Sequence, residues 1–286
     1  MVVRAPAKIN LTLEVLARRA DGLHGIRSVM VPLELADELI VEESDRFSFS
    51  CDRPELDGDD NLALRAFRAL GTFPARRFRL RKQIPVQAGL GGGSSDAAAV
   101  LRAAMSGTFG APPATDWLAA ARSLGSDVPF FLAGTAALVE GTGERVTPLG
   151  AIPGWHVLVV KPPASVSTAD AYAQLDRKSR PTRPRATSLS LRAVTALQRG
   201  DFSGVQALLC NDFEAPIASS ETAVATALDA LQAAGASNPL LTGSGSCVFA
   251  LGEGAAEIDA LMQRLDLPPE YQRIATKFAT AEGWRA

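Results

Sequence analysis

The sequence predicts a mixed α+β protein of about two structural units, and three observations carry that prediction. Segments of strand character, one strictly alternating, concentrate before residue 160. Ala- and Leu-rich segments with helical apolar spacing dominate after it. The 286 residues correspond to roughly two domains at about 150 residues each. The shift in composition puts the boundary near 150–160, and we divide the chain into 1–152 and 153–286.

Residues 7–16 (AKINLTLEVL) and 38–43 (ELIVEE) are rich in β-formers and FSFS at 47–50 alternates, which predicts an antiparallel sheet with one wet face. Asn61 stands before LALRAFRAL as an N-cap. In RFRLRKQIPV, Phe78 and Leu80 alternate with Arg77, Arg79 and Arg81, so the arginines form a solvated strand face rather than an anion clamp. Ser94 and Ser95 precede DAAAVLRAAM, and Thr115 precedes DWLAAARSL, as further N-caps; the latter helix stops at Gly125. WHVLVV at 155–160 reads as a buried strand ended by Pro162 and Pro163. Beyond it, 168–175, 201–210, 221–235 and 255–264 carry helical spacing, and CVFAL at 247–251 is a strand candidate. The basic, proline-bearing stretch 176–186 reads as a surface loop, either a solvated linker or a lid over an anionic substrate.

Composition excludes several classes. Twenty-nine Lys and Arg against 31 Asp and Glu leave a net charge of −2, with no electrostatic footprint for nucleic acid, so small-molecule partners are expected. Cys51, Cys210 and Cys247 are odd in number and far apart, so they supply neither a disulfide framework nor a CxxC motif. With only His24 and His156, a His-rich transition-metal site is excluded, and any divalent metal is expected to be a hard one. Arg4, Lys8, Asn10 and Glu14 interrupt the N-terminal apolar run, and no stretch approaches the roughly 18 apolar residues of a membrane helix, so a cytoplasmic location is expected.

The densest chemical signal is the run from Pro85 to Ser95: Pro85, Val86, Gln87, Ala88, Gly89, Leu90, Gly91, Gly92, Gly93, Ser94, Ser95. Four glycines between a strand and a helix let the backbone take positive φ and bring several N–H groups to one place. The helix N-terminus adds its partial positive charge, and the two hydroxyls can meet phosphate oxygens or a metal ion. Neither the Walker pattern nor GxGxxG fits, because no lysine follows and position 94 is serine. A plain turn is the competing reading, and the entropy cost of four glycines in five residues argues against it. Three further features accompany the loop: TGSGS at 242–246, Asp127 in SLGSDVPFF, and Lys8 in APAKIN. Taken singly they would read as a turn, a capping residue and a surface charge.

Together these residues resemble the GHMP kinases. The three motifs of that family match APAKINLTL, GLGGGSSDAAA and LTGSGSCVFAL, in order and across nearly the whole chain. RADGLHGIRSVM, LGSDVPFFL, EGTGERVTPL and NDFE at 211–214 resemble the branch that phosphorylates the 2-hydroxyl of 4-diphosphocytidyl-2-C-methylerythritol in the non-mevalonate route to isoprenoids. The resemblance implies a two-domain GHMP kinase fold, an N-terminal unit like domain 2 of ribosomal protein S5 and a C-terminal α/β sandwich, with the active site in the cleft between them.

It also implies ATP as phosphoryl donor, Mg²⁺ beside it, and a monomer or homodimer that binds neither nucleic acid nor membrane. Lys8 and Asp127 fall on the catalytic pair, Asp127 accepting or orienting the hydroxyl proton and Lys8 stabilising charge. The ATP loop maps onto 85–95, with Asn61 and Lys82 on the adenine side and Ser95 as metal candidate. Asn10, His24, Tyr172, Gly243 and Ser244 map onto the substrate side, His24 reading cytosine through DGLHG and Tyr172 offering the opposite ring face. Many relatives carry Tyr where this chain has Leu23, which removes one stacking partner. DGLHG and NDFE favour the cytidylyl substrate over those of mevalonate and homoserine kinases, and retention of Lys8 and Asp127 argues against a non-catalytic nucleotide sensor.

Overall fold

A computed structural model describes residues 1–71, 75–109, 116–177 and 188–280. Two long strands, β1 (Val2–Arg18) and β2 (His24–Glu43), form an antiparallel pair. They are followed by β3 (Ser48–Cys51), α1 (Leu62–Ala69), β4 (Arg76–Arg81), α2 (Gly92–Met105), α3 (Trp117–Leu124), α4 (Val128–Ala133), β5 (Ala137–Gly141) and β6 (Arg145–Pro148). The second half contributes β7 (His156–Lys161), α5 (Thr168–Arg177), α6 (Leu189–Gln198), α7 (Phe202–Leu208), β8 (Cys210–Asn211), α8 (Glu214–Ser220), α9 (Thr222–Ala233), β9 (Leu240–Leu241), β10 (Val248–Gly252), α10 (Ala255–Arg264) and β11 (Gln272–Lys277).

The strands make two sheets. One has seven strands, ordered β3-β4-β2-β1-β8 with β5 and β6 branching from β2; the other is β11-β7-β10-β9. The larger sheet is mixed rather than antiparallel, since β3 pairs in parallel with β4 and β1 in parallel with β8. Three apolar layers separate the elements. Phe67, Phe78 and Phe130 lie between the large sheet and α1–α4; Ile9, Val31, Val157 and Phe249 lie between the two sheets; Leu158, Ile217, Val224 and Leu231 lie under α8–α10. We keep residue 152, in the connection between β6 and β7, as the proposed division, although β8 returns from the second half to pair with β1.

Several local expectations change. β4 stops at Arg81, so 82–86 belong to the glycine loop's approach. Its arginines do face solvent, Arg79 and Arg77 toward Glu42 at 2.6 and 3.9 Å and Arg81 toward Glu38 at 3.8 Å, exposed pairs of little energetic weight. Asn61 caps α1 as its chemistry predicts, accepting from the Ala63 amide. Neither Ser94 nor Ser95 caps α2; the N-cap is Gly91 at φ 73°, and both serines lie in the first turns. Asp116, whose carboxylate accepts from the Leu118 and Ala119 amides, caps α3. Thr115 and residues 178–186 of the basic stretch lie outside the described residues.

One irregularity positions the site. Val3 and Ala5 of β1 belong to the first apolar layer, whereas Ala7, Ile9 and Leu11, in the same alternating phase, belong to the second. A break in register between Pro6 and Lys8 marks the change, as β-bulges do when they flip side chains to the other face. Lys8 and Asn10 are thereby turned away from the second layer toward the start of α2.

Candidate active site

A cleft of about 1460 Å³ is lined by residues from both halves of the chain, among them Lys8, His24, Asp127, Tyr172, Ser244 and the loop 84–94. At its centre the glycine loop turns through left-handed backbone at Gly89 (φ 75°) and Gly91 (φ 73°), and also at Gln87 (φ 51°). No side chain caps α2, and its first intrahelical bond runs from the Ser95 amide to the Gly91 carbonyl. The Gly92, Gly93 and Ser94 amides therefore have no acceptor within the helix and give the junction the donors a phosphate requires.

The loop is fixed on both sides. Lys8 N–H donates to the Leu90 carbonyl at 3.0 Å, and Cys247 N–H to the Ala88 carbonyl at 3.1 Å. A Cβ on Gly89 would collide with the Thr242 carbonyl oxygen, and one on Gly243 would sit 2.8 Å from the Gly89 carbonyl oxygen. TGSGS is thus the surface against which the glycine loop closes. Asn10 stitches it to β1: its amide donates to Thr242 Oγ1 at 3.1 Å, its Oδ1 accepts from Gly243 N–H at 3.0 Å, and its Nδ2 donates to Ser28 Oγ at 2.8 Å. Asn211 Nδ2 donates to the Leu241 and Gly243 carbonyls at 2.7 and 2.9 Å, and Glu214 Oε2 accepts from Leu241 N–H at 2.8 Å.

Asp127 stands at the N-cap position of α4 but caps nothing. Its carboxylate lies 3.8 Å from Lys8 Nζ, with the aspartate side chain 29% exposed and the lysine 4%. Lys8 Nζ donates to Asn10 Oδ1 at 2.8 Å and to the Gly89 carbonyl at 2.7 Å. An ammonium has three hydrogens, so one donor is left for Asp127 and whatever lies beside it.

At the other end, His24 and Tyr172 are parallel within 13° at a centroid distance of 5.5 Å, and Phe213 meets Tyr172 edge-on at 4.9 Å. The two rings thus stack on each other. Leu23 is 56% exposed on the rim. Ser244 Oγ lies 3.1 Å from Thr168 Oγ1.

Comparison with known proteins supplies the decisive observation. The GHMP kinases N terminal domain matches residues 61–135 and the GHMP kinases C terminal domain matches 193–267. A 4-diphosphocytidyl-2-C-methyl-D-erythritol kinase of Deinococcus radiodurans is 40% identical, covering 90% of this chain and 85% of its own. One from Anaeromyxobacter is 43% identical, covering 86% and 80%. The crystal structure of a 4-(cytidine 5'-diphospho)-2C-methyl-D-erythritol kinase superposes at a TM-score of 0.80 with 34% identity, over 98% of this chain and all of that one. The chain belongs to the GHMP kinase family, in its 4-diphosphocytidyl-2-C-methyl-D-erythritol kinase branch.

In this GHMP kinase the electrostatics divide into two lysine clusters. Burial pushes the Lys8 ammonium below its ordinary range, while Asp127 pulls it back up. Lys82 is different: Nζ donates to Asp37 Oδ2 at 2.5 Å and Asp96 Oδ2 at 2.6 Å, and Asp37 Oδ1 accepts from the Gln83 and Ile84 amides. Burial would lower the Lys82 pKa, but the two carboxylates raise it. Its ammonium lies beneath the first turn of α2, where two of its three hydrogens tie β2, β4 and α2 together, and the residue also lines the cleft. Asn61, which also lines the cleft, accepts from Ala63 N–H at Oδ1 and donates one Nδ2 hydrogen to the Leu56 carbonyl.

Asp96 is pushed up to about 8, by burial first and then by Asp37, against the pull of Lys82. A carboxyl that holds its proton in the folded state but loses it when unfolded makes stability fall as pH rises from about 4 to about 8. Asp96→Asn is expected to flatten that slope, so its stability relative to wild type should rise as pH goes from about 4 to about 8. Asp37→Ala, which strips Lys82 and two amides of a partner, should cost about 3 kcal/mol. Urea titrations across pH measure both.

Ser95 is fully buried, its hydroxyl has no partner among the described residues, and it is absent from the cleft lining, whereas Ser94 lines it. Asp37 and Asp96 escaped the sequence reading because a lone carboxylate among apolar strand or helix residues carries no spacing signal. Gly143 did too: a Cβ there would lie 2.6 Å from the Ser126 carbonyl oxygen, so the EGTGER turn buttresses the residue before Asp127.

Proposed function

We propose that the chain transfers the γ-phosphoryl group of ATP to the 2-hydroxyl of 4-diphosphocytidyl-2-C-methyl-D-erythritol, giving the 2-phosphate and ADP, in the non-mevalonate route to isoprenoid precursors. The observation that carries this reading is the convergence in one cleft of an uncapped, glycine-lined helix N-terminus, the Lys8–Asp127 pair and an aromatic-lined pocket. The α2 terminus and residues 85–94 receive the nucleotide phosphates. Asp127, which caps nothing and is partly exposed, accepts or orients the proton of the acceptor hydroxyl. Lys8, pinned by Asn10 and Gly89 and 3.8 Å from Asp127, stabilises charge on the transferring group. Asn10, Gly243 and Ser244 shape the acceptor side, His24 reads the cytosine by hydrogen bonds, and Tyr172 offers it a ring face.

Mg²⁺ fits this site as a companion of the phosphates. Among the described residues no cluster of three or more metal-ligating His, Cys, Asp or Glu side chains exists, which suits an ion held mostly by phosphate oxygens and water. Asp127 and the Ser94 hydroxyl, both on the cleft lining, would supply its protein oxygens, whereas Ser95 would have to turn out of its buried position. When bound, the ion neutralises phosphate charge. The enzyme acts in the cytoplasm, as a monomer or homodimer; no helix among the described residues is long and apolar enough to cross a membrane.

The test is ADP release with a panel of alcohols, the cytidylyl substrate, mevalonate and homoserine, with product phosphorus resonances to place the new phosphate. Turnover of the cytidylyl substrate alone is expected, and preference for another alcohol would overturn the assignment. His24→Ala should raise KM for the cytidylyl substrate about tenfold and leave KM for ATP unchanged; equal losses would remove His24 from the base site.

A further inference from the structure

His24 has an unsettled edge. Its Nδ1 faces the Leu16 carbonyl oxygen at 3.1 Å, and because a carbonyl only accepts, that nitrogen carries the hydrogen. In the neutral ring Nε2 is then a bare acceptor. It lies 3.0 Å from Asp176 Oδ1, yet the pair is out of line for a hydrogen bond, and Nε2 is one of four buried side-chain atoms among the described residues without a hydrogen-bond partner. Two acceptors side by side, one of them sealed from solvent, are costly unless a donor reaches them. Both line the cleft, beside the Tyr172 ring stacked on His24.

We propose that Asp176 is a specificity-determining residue that reads the exocyclic amino group of the cytosine. This rests on the functional reading above. Cytosine carries a 4-amino donor at the edge where uracil carries a carbonyl acceptor. An amino group entering beside His24 donates to the Asp176 carboxylate, and its second hydrogen or the neighbouring ring nitrogen meets Nε2, according to the protons the imidazole carries. Uracil would instead put a carbonyl oxygen against the carboxylate, an arrangement that repels in either state of the ring. Specificity of this kind comes from a buried acceptor left unpaired by the wrong ligand. The carboxylate, at the last turn of α5 and 45% exposed, can be replaced without a hole in the core.

The experiment compares wild type, Asp176→Ala and Asp176→Asn on the cytidylyl substrate and its uridylyl counterpart, with CMP and UMP competition as a readout independent of turnover. Asp176→Ala should raise KM for the cytidylyl substrate about tenfold while kcat and KM for ATP hold, and the cytidylyl-to-uridylyl ratio should fall by about the same factor. Asp176→Asn, whose amide can turn a donor toward a carbonyl, should improve the uridylyl substrate. An unchanged ratio, or equal loss on both substrates, overturns the proposal and leaves Asp176 a support for His24. Preference for CMP over UMP without turnover of the cytidylyl substrate would instead sink the functional reading while sparing Asp176.

Discussion

Asp127→Asn should lower kcat by about 10²–10⁴ while leaving affinity for a non-hydrolysable ATP analogue unchanged. The amide keeps the volume of the carboxylate but removes the group proposed to accept or orient the hydroxyl proton. Because Asp127 caps no helix, its loss has no direct backbone cost, and melting temperature should stay within a degree or two of wild type. Lys8→Ala should match the loss in kcat with a larger structural penalty, since it also abandons the bonds to Asn10 Oδ1 and the Gly89 carbonyl. Near-normal turnover in Asp127→Asn would show that the hydroxyl finds its base elsewhere, and single-turnover phosphoryl transfer measures this directly.

Gly89→Ala is the second large effect. At φ 75° an alanine pays about 1–2 kcal/mol for left-handed backbone alone. Its Cβ also points into the Thr242 carbonyl, which is backbone and cannot rotate aside. Either the glycine loop or TGSGS must move, and both shape the phosphate site. A combined cost of about 3 kcal/mol corresponds to about a hundredfold loss of nucleotide affinity, read by calorimetry. Gly154→Ala is the control, because that glycine has nothing within 4 Å of its Cβ position and no positive φ. Equal behaviour of the two variants would mean that the loop tolerates displacement.

Much of the fold was legible where a local signal existed. Helical spacing located α5, α9 and α10 to within a few residues, and alternation located β4, because these elements each present one apolar face to a layer. Helix starts were less legible. Ser94 and Ser95 carry good capping chemistry, yet Gly91 takes the cap because only the glycine accommodates left-handed backbone with the Phe131 ring 2.8 Å from its Cβ position. Mixed strand direction was also hidden, since β8 contributes only Cys210 and Asn211 and its pairing to β1 spans nearly 200 residues.

The site divides along the same line. The glycine-rich strand-to-helix junction reads locally as a phosphate site, whereas the roles expected of Lys8, Asp127 and His24 come from the resemblance to the family, because each residue alone carries no such signal. What joins them is tertiary. The register break that turns Lys8 toward α2, the approach of TGSGS to Gly89, and the burial of Lys82 between Asp37 and Asp96 all depend on contacts between distant segments. Residue identity determines what a side chain can donate, accept or neutralise. Only packing determines which partner reaches it first, and that is why Lys8 Nζ meets an amide oxygen, a backbone carbonyl and the Asp127 carboxylate, whereas Lys82 Nζ is held between the two buried carboxylates of Asp37 and Asp96.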